Sequence, residues 1–226
     1  MSPTLDEQAV ESARGYDRWF ERGWGRYAWH VERQALLRAI SATAAVAVAV
    51  DVGCGTGRST QAVQTAAARV IGADRSQAML TVARHRNVTP LTAADAHALP
   101  LRDGSVDLAV GVTVLEFVAD PEAVTTELAR VVRPAGHIVI GALNTRSPWG
   151  LAHRRDFSTP PWNTAWFLTR GQLRSMGARH GRVRLIGALF APGKLPALRV
   201  LGASCEFAGR AVPFLGAFQV LVVDRT

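Results

Sequence analysis

The middle of the chain switches repeatedly between two periods of apolar residues. AVAVAVDV, near 46–52, is a small and β-branched run of the kind found in strands covered on both faces. An Ala-rich helical pattern near 58–68 follows it. RVIGAD (69–74) predicts a second strand, RSQAMLTVARH a helix with Ser76 as N-cap, and TPLTAAD (89–95) a third strand. A fourth strand is expected across 106–112 and a fifth across GHIVIGAL (136–143), entered through the turn PAG. Between them DPEAVTTELARVV predicts a helix. Asp120 is its N-cap, Pro121 its first residue, and Val124, Leu128, Val131 and Val132 its apolar stripe.

Strands alternating with helices imply a parallel sheet with helices on both faces and right-handed crossovers. The C-terminal third differs. Thr169 and Gln172 fit a capping box for a short helix. Segments 182–192 and 216–225 then read as strands with no long helical pattern between them, which suits an antiparallel pair closing the sheet edge. The expectation is one α/β domain over 1–226, built on a doubly wound, mostly parallel seven-stranded sheet with an antiparallel C-terminal strand. Within it, 1–45 reads as a helical arm or lid, 46–145 as the ligand-binding core, about 144–168 as an insertion covering the substrate, and 169–226 as the closing helix and strand pair.

Composition leaves this picture intact. Hydrophobic residues make up 48% of the chain and charged ones 19%, as expected of a folded, soluble protein. No apolar stretch is long enough to span a bilayer, and the polar, acidic N-terminus does not read as a secretory signal. Cys54 and Cys205 are isolated, which argues against a disulfide framework or a metal site. A reducing cytoplasm is the expected compartment. Charge adds something new: residues 146–226 carry 12 basic groups but only Asp156, Glu206 and Asp224 on the acidic side. Such a surplus suits a solvated basic surface, an acidic substrate, an anionic lipid surface or RNA.

Candidate chemistry begins at VDVGCGTGRST. Gly53, Gly55 and Gly57 stand between a strand and a helix, where bare backbone lets a ligand reach main-chain N–H groups. A phosphate-binding P-loop fails at Val52 and Arg58. A dinucleotide fingerprint fails because the third glycine comes one residue early. Further carboxylates close the second and third strands, Asp74 lying 17 residues after Gly57 and Asp95 standing in ADAHALPL.

The order D-x-G-x-G-x-G, Asp74, Asp95, GVTVLEFVADP and VVRPAG resembles the class I S-adenosylmethionine-dependent methyltransferases, and within them the methyltransferase 11 group that includes quinone-biosynthesis enzymes. The resemblance covers roughly residues 46–145. It implies a Rossmann-like fold and S-adenosyl-L-methionine as cofactor, with the glycine loop (Asp51, Gly53, Cys54, Gly55, Gly57) around the methionine and ribose. It also implies Asp74 at the ribose, Asp95 at the adenine, and Tyr16, Arg75, Ala96, Thr113 and Phe117 beside the cofactor. Asp51 could instead simply cap the next helix, Cys54 reads as a small packing residue rather than a reactive thiol, and Arg58 as pointing to solvent or to an anion.

Methyl transfer from a sulfonium is an in-line displacement that needs alignment first and a base only if the acceptor must lose a proton. Many relatives read L-E-H after the fourth strand; here Phe117 replaces the His. Glu116, His30 and His153 remain weak candidates, and no general base is assigned. All six Trp and both Tyr lie in the arm and the insertion, none in 46–145. That distribution suits aromatic walls over the cofactor, which exclude water and favour a sulfonium. Two amphipathic covers packing their indoles on the core would look the same. Arg154, Arg155, Arg182 and Arg184 are candidates to hold an acidic group. The expected partner is a small-molecule methyl acceptor, acidic or aromatic. An RNA methyltransferase using the basic third, an NAD-dependent oxidoreductase and a non-catalytic cofactor-binding protein are the alternatives.

Overall fold

The computed structural model of the protein describes residues 4–43, 45–152, 162–191 and 202–226. Two helices, Leu5–Trp19 (α1) and Gly23–Ser41 (α2), lead into Val46–Val52 (β1), Arg58–Val63 (α3), Ala67–Asp74 (β2), Gln77–His85 (α4) and Leu91–Ala93 (β3). Then come Val106–Val112 (β4), Pro121–Val131 (α5), Val132–Leu143 (β5) and the short helix Pro148–Ala152 (α6). Arg170–Ala178 (α7), Gly181–Ala188 (β6), Gly202–Gly209 (α8) and Phe218–Arg225 (β7) complete the described chain.

The seven strands form one sheet in the order β3-β2-β1-β4-β5-β7-β6. Only β7 runs against the direction of the other six strands, an antiparallel C-terminal strand slotted between β5 and β6. The chain leaves β1 toward β2 on one side and returns through β4 on the other. That reversal splays the crossovers apart and opens a crevice at the carboxyl ends of the strands.

Alternation along the strands sorts side chains onto two faces. Val50, Ile138, Ile140, Leu221 and Val223 pack with Val124, Leu128, Leu173 and Met176 of α5 and α7. Ala49, Val139, Val220 and Val222 pack on the opposite face with Leu36, Ile40, Ala62 and Val63 of α2 and α3. The C-terminal half of α2 is thus a layer of the core rather than a free arm.

Several boundaries differ from the sequence expectation. The third strand shrinks to three residues. The fifth starts at Val132 because PAG is a bulge inside it: the register jumps from Val106↔Val132 to Leu108↔His137, with Ala135 at φ +59°. Helix α8 was not anticipated between the last two strands. It buries only Gly202 and Gly209 and so carries no apolar stripe for periodicity to reveal.

Phe218 is fully buried where β7 enters the sheet, and a Cβ on Gly141 would come within 2.3 Å of its ring. Phe218→Ala should cost about 3–5 kcal/mol through the cavity left behind. Denaturant unfolding, read as a lower midpoint at unchanged slope, checks it.

Candidate active site

A single cavity of about 470 Å³ occupies the crevice at the carboxyl ends of β1 to β5. Its floor is the loop between β1 and α3. Gly53, Gly55 and Gly57 all take left-handed φ (+69°, +53° and +84°), but for different reasons. A Cβ would strike Val114 at Gly53 and Val88 at Gly57, whereas at Gly55 it would meet no protein atom within 4 Å. Gly55 is the position where bare backbone faces open space. Gly57 does not line the cavity; it is a packing residue.

The loop's N–H groups are not free, contrary to the sequence expectation. Gly53 and Cys54 donate to the Ala73 carbonyl, Gly57 donates to the Cys54 carbonyl, and Gly55 donates to Asp74 Oδ2 at 2.8 Å. At these four positions the loop offers a ligand room, not donors. Asp51 requires a further correction. Its carboxylate is fully buried outside the cavity lining, where Oδ2 accepts from Ser59 Oγ (2.7 Å) and Thr60 Oγ1 (2.6 Å). It anchors the first turn of α3, the cap reading. Burial pushes its carboxyl up to about 6, against the pull of those two hydroxyls.

Other expected residues do converge. Asp74, Arg75, Asp95, Ala96, Thr113 and Phe117 line the cavity from the ends of β2, β3 and β4, and Cys54 and Tyr16 line it from the loop and α1. Asp74 Oδ1 accepts from the Ser76 N–H at 2.8 Å, so both oxygens are oriented by backbone while keeping further lone pairs. The half-exposed Asp95 accepts from the N–H of His97 and meets its Nδ1 at 2.7 Å, contacts that hold its carboxyl below the usual range. Burial pushes the Cys54 thiol well above its ordinary value, so it packs rather than reacts.

The roof comes from the N-terminal helices. Trp19, Phe20, Trp24 and Trp29 line the cavity with Tyr16, and Trp149 closes it from α6. Phe20 is the hub, edge-on to Tyr16 (5.2 Å), Trp19 (4.9 Å) and Trp29 (6.2 Å). Four of the six tryptophans therefore face the cavity. Trp166, 71% exposed, does not line it, and the side chain of Trp162 lies outside the description.

Asp17 locks this roof to the core. Its carboxylate, 7% exposed, accepts from Thr56 Oγ1 at 2.8 Å and Arg58 Nε at 2.6 Å, and also pairs with Arg86. Burial opposes its ionisation, but the Arg58 and Thr56 hydrogen bonds prevail and hold the carboxyl below its ordinary value. Arg58 thus faces inward, reaching Asp17 and Glu21 with its guanidinium over Phe20, not outward to solvent or an anion. No sequence pattern singled out Asp17, because its three donors come from segments 39 to 69 residues away.

Of the weak candidates for a base, His30 is exposed and bonded to Gln34, away from the cavity. His153 lies outside the described residues, with Arg154 and Arg155. Glu116 is 1% exposed just behind the lining; its Oε1 accepts from the Leu143 N–H at 2.7 Å and its Oε2 has no hydrogen-bond partner. Burial pushes its carboxyl up to about 7. Glu32, which sequence reasoning missed, does line the cavity at 9% exposure. Burial, then the charge of Glu116, pushes it up to about 7 as well. The signal was present: Ala28, Val31, Glu32, Ala35 and Leu36 share one buried stripe of α2, and one of them is a carboxylate.

Residues 50–140 match the family model of the methyltransferase domain. They are similar to such a domain. The chain is 41% identical over 95 residues to a demethylmenaquinone methyltransferase of Corynebacterium kroppenstedtii, covering 42% of this chain and 41% of that one. It is 30% identical over 175 residues to an uncharacterized protein of Mycobacterium tuberculosis, covering 76% and 59%. The chain spans between 28% and 48% of the length of the first curated relatives it matches. Among solved structures, a SAM-dependent methyltransferase of Thermotoga maritima, described as a possible histamine N-methyltransferase, superposes with a TM-score of 0.77 at 24% identity, covering 96% and 97%. The chain therefore has the Rossmann-like fold over nearly its whole length, with α1 and α2 flanking the family-matched core.

Two outcomes are expected. Asp17→Asn removes one side of a buried ionic cluster and should lower stability by roughly 3 kcal/mol, read by chemical denaturation. Between an ordinary carboxylate value of 4.5 and about 7, the unfolded chain releases protons that folded Glu32 and Glu116 retain, so stability falls as pH rises through that window. Melting temperatures from pH 5 to 8 should show that decline, and a shallower one in Glu32→Gln.

Proposed function

We propose that the protein transfers a methyl group from S-adenosylmethionine to a small-molecule acceptor. The observation that carries this reading is the open space over Gly55, flanked by the carboxylates of Asp74 and Asp95 on adjacent strand ends. The residues fit that cofactor. A side chain at position 55 would fill the space, and two carboxylates can accept from a nucleoside's hydroxyl and amino donors. Indole faces suit a sulfonium. When bound, the cofactor supplies an activated methyl group on a cationic sulfur.

The chain's own part is binding, alignment and exclusion of water. Asp74, oriented by the Gly55 and Ser76 N–H groups, is set to receive a ribose, and Asp95 an exocyclic amine. Tyr16, Phe20, Trp29 and Trp149 roof the cavity and keep water from it. A displacement driven by positioning has no need of the His that Phe117 replaces. A small acceptor agrees with the cavity's size and with the named relative's quinone substrate. Arg182 and Arg184 do not line the cavity; Arg184 faces Asp224 on the outer strand pair. The described cavity thus favours an aromatic or apolar acceptor body over an acidic one. Among the described residues no helix is long and apolar enough to cross a membrane.

Calorimetric titration should give heat with S-adenosylmethionine and its demethylated product and none with NAD. Gly55→Ala should weaken both ligands at least tenfold while costing only about 1 kcal/mol of stability for its left-handed backbone. Heat with NAD and none with the methyl donor would overturn the reading.

A further inference from the structure

The cavity has two chemically different ends. Asp74 and Asp95 mark one, over β2 and β3. The other lies over β4 and β5, where Trp24, Ala28, Trp29, Leu143 and Trp149 make an apolar chamber. The sheet spaces Asp95 and Leu143 four strands apart, about 19 Å. A nucleoside held at the first end leaves the second for the acceptor.

Among the described residues, one carboxylate lines that chamber, Glu32. Among the described residues no hydrogen bond or ion pair reaches its carboxylate. Behind it, Glu116 adds a second carboxylate whose Oε2 is equally unpartnered. The hydroxyl of Tyr16 lies close enough to feel both charges and offers no positive one. The guanidinium that lines the cavity nearby, Arg58, is already held by Asp17 and Glu21. A buried carboxylate is normally paired or hydrogen-bonded, because leaving water uncompensated is costly. Here the side chain that could be compensated faces the chamber, and the walls around it are indoles, whose faces attract cations.

Resting on the methyl-transfer reading above, we propose that the acceptor is a small amine that enters as its ammonium ion, pairs with Glu32 and lies against Trp29 and Trp149. Glu32 takes one N–H proton as the amine is committed to reaction. The freed nitrogen lone pair forms the N–C bond while the C–S bond breaks, its electron pair staying on sulfur as a neutral thioether. The product leaves as the methylated ammonium ion and Glu32 returns its proton to solvent. A carboxylate or phosphate acceptor would instead face Glu32 with no cation opposite it among the described residues. At 24% identity the Thermotoga protein speaks for the fold alone.

The test is binding to protein saturated with the demethylated cofactor, with phenethylamine as the amine probe, 3-phenylpropanol as the neutral analogue and 3-phenylpropionate as the acid. Wild type should hold the amine at least tenfold more tightly than either analogue. Glu32→Gln should remove that preference while the demethylated cofactor binds as before. An amine bound no better than the alcohol by wild type overturns the proposal, and so does a preference that survives in Glu32→Gln. Failure of the demethylated cofactor to bind wild type would instead sink the methyl-transfer reading on which the proposal stands.

Discussion

Asp17 takes donors from the glycine loop (Thr56), the first residue of α3 (Arg58) and the residue capping α4 (Arg86). These are the three elements that floor and flank the crevice. Asp17 itself sits in α1, one residue after Tyr16 and three before Phe20, the hub of the aromatic roof. A single carboxylate thereby registers the roof against the floor. Paired and hydrogen-bonded charges of this kind hold a geometry that apolar packing alone would leave free to slide, because the donors must meet the oxygens at fixed distances and angles. Without the clasp the crevice would be an open groove at the top of a sheet. With it, the groove is roofed by the aromatic side chains of α1 and α2.

Beneath that roof the sheet acts as a ruler. The switch in strand order at β1 opens the crevice, and the regular spacing of parallel strands separates its two ends. The glycine loop sits between them, and its contribution is subtler than its composition suggests. The N–H groups of Gly53, Cys54, Gly55 and Gly57 are satisfied by the β2 end, by the loop's own turn and by Asp74, so these bonds hold the loop's shape without a ligand. Such preorganisation limits what binding must order. Gly55 then contributes by lacking a side chain.

Charge divides the same way. At the β2 and β3 ends both carboxylates are hydrogen-bonded, and the His97 contacts hold that of Asp95 below its ordinary range. At the β4 and β5 ends Glu32 and Glu116 are buried, face each other's charge and hold protons toward neutral pH. One kind of group plays two roles because one environment solvates and bonds the anion, while the other withholds water and offers it the single N–H of Leu143, at Glu116. The first pair suits neutral donors such as hydroxyl and amino groups; the second suits a cation.

Much of this was legible in the chain. The periodicity of 46–143 determined strands alternating with helices, and hence a parallel sheet, because a strand covered on both faces must be apolar at every position. Thr169 with Gln172, and Asp120 before Pro121, marked helix starts, since capping chemistry is local. Asp74 and Asp95 were readable because strand ends are. The rest was not readable, and for one reason: burial and pairing are long-range. Nothing near Asp51 in sequence says that its carboxylate turns inward to α3 rather than toward a ligand, nor that Arg58 turns back onto Asp17. Glu32 lay in plain view on an apolar stripe, but only packing α2 over the ends of β4 and β5 placed it against Glu116 and opened it to the cavity. The sequence by itself determined which elements form and which residues end them. Tertiary structure alone decided which of those residues meet, because the contacts that join the site close loops of tens of residues, and no local pattern encodes which distant donor arrives.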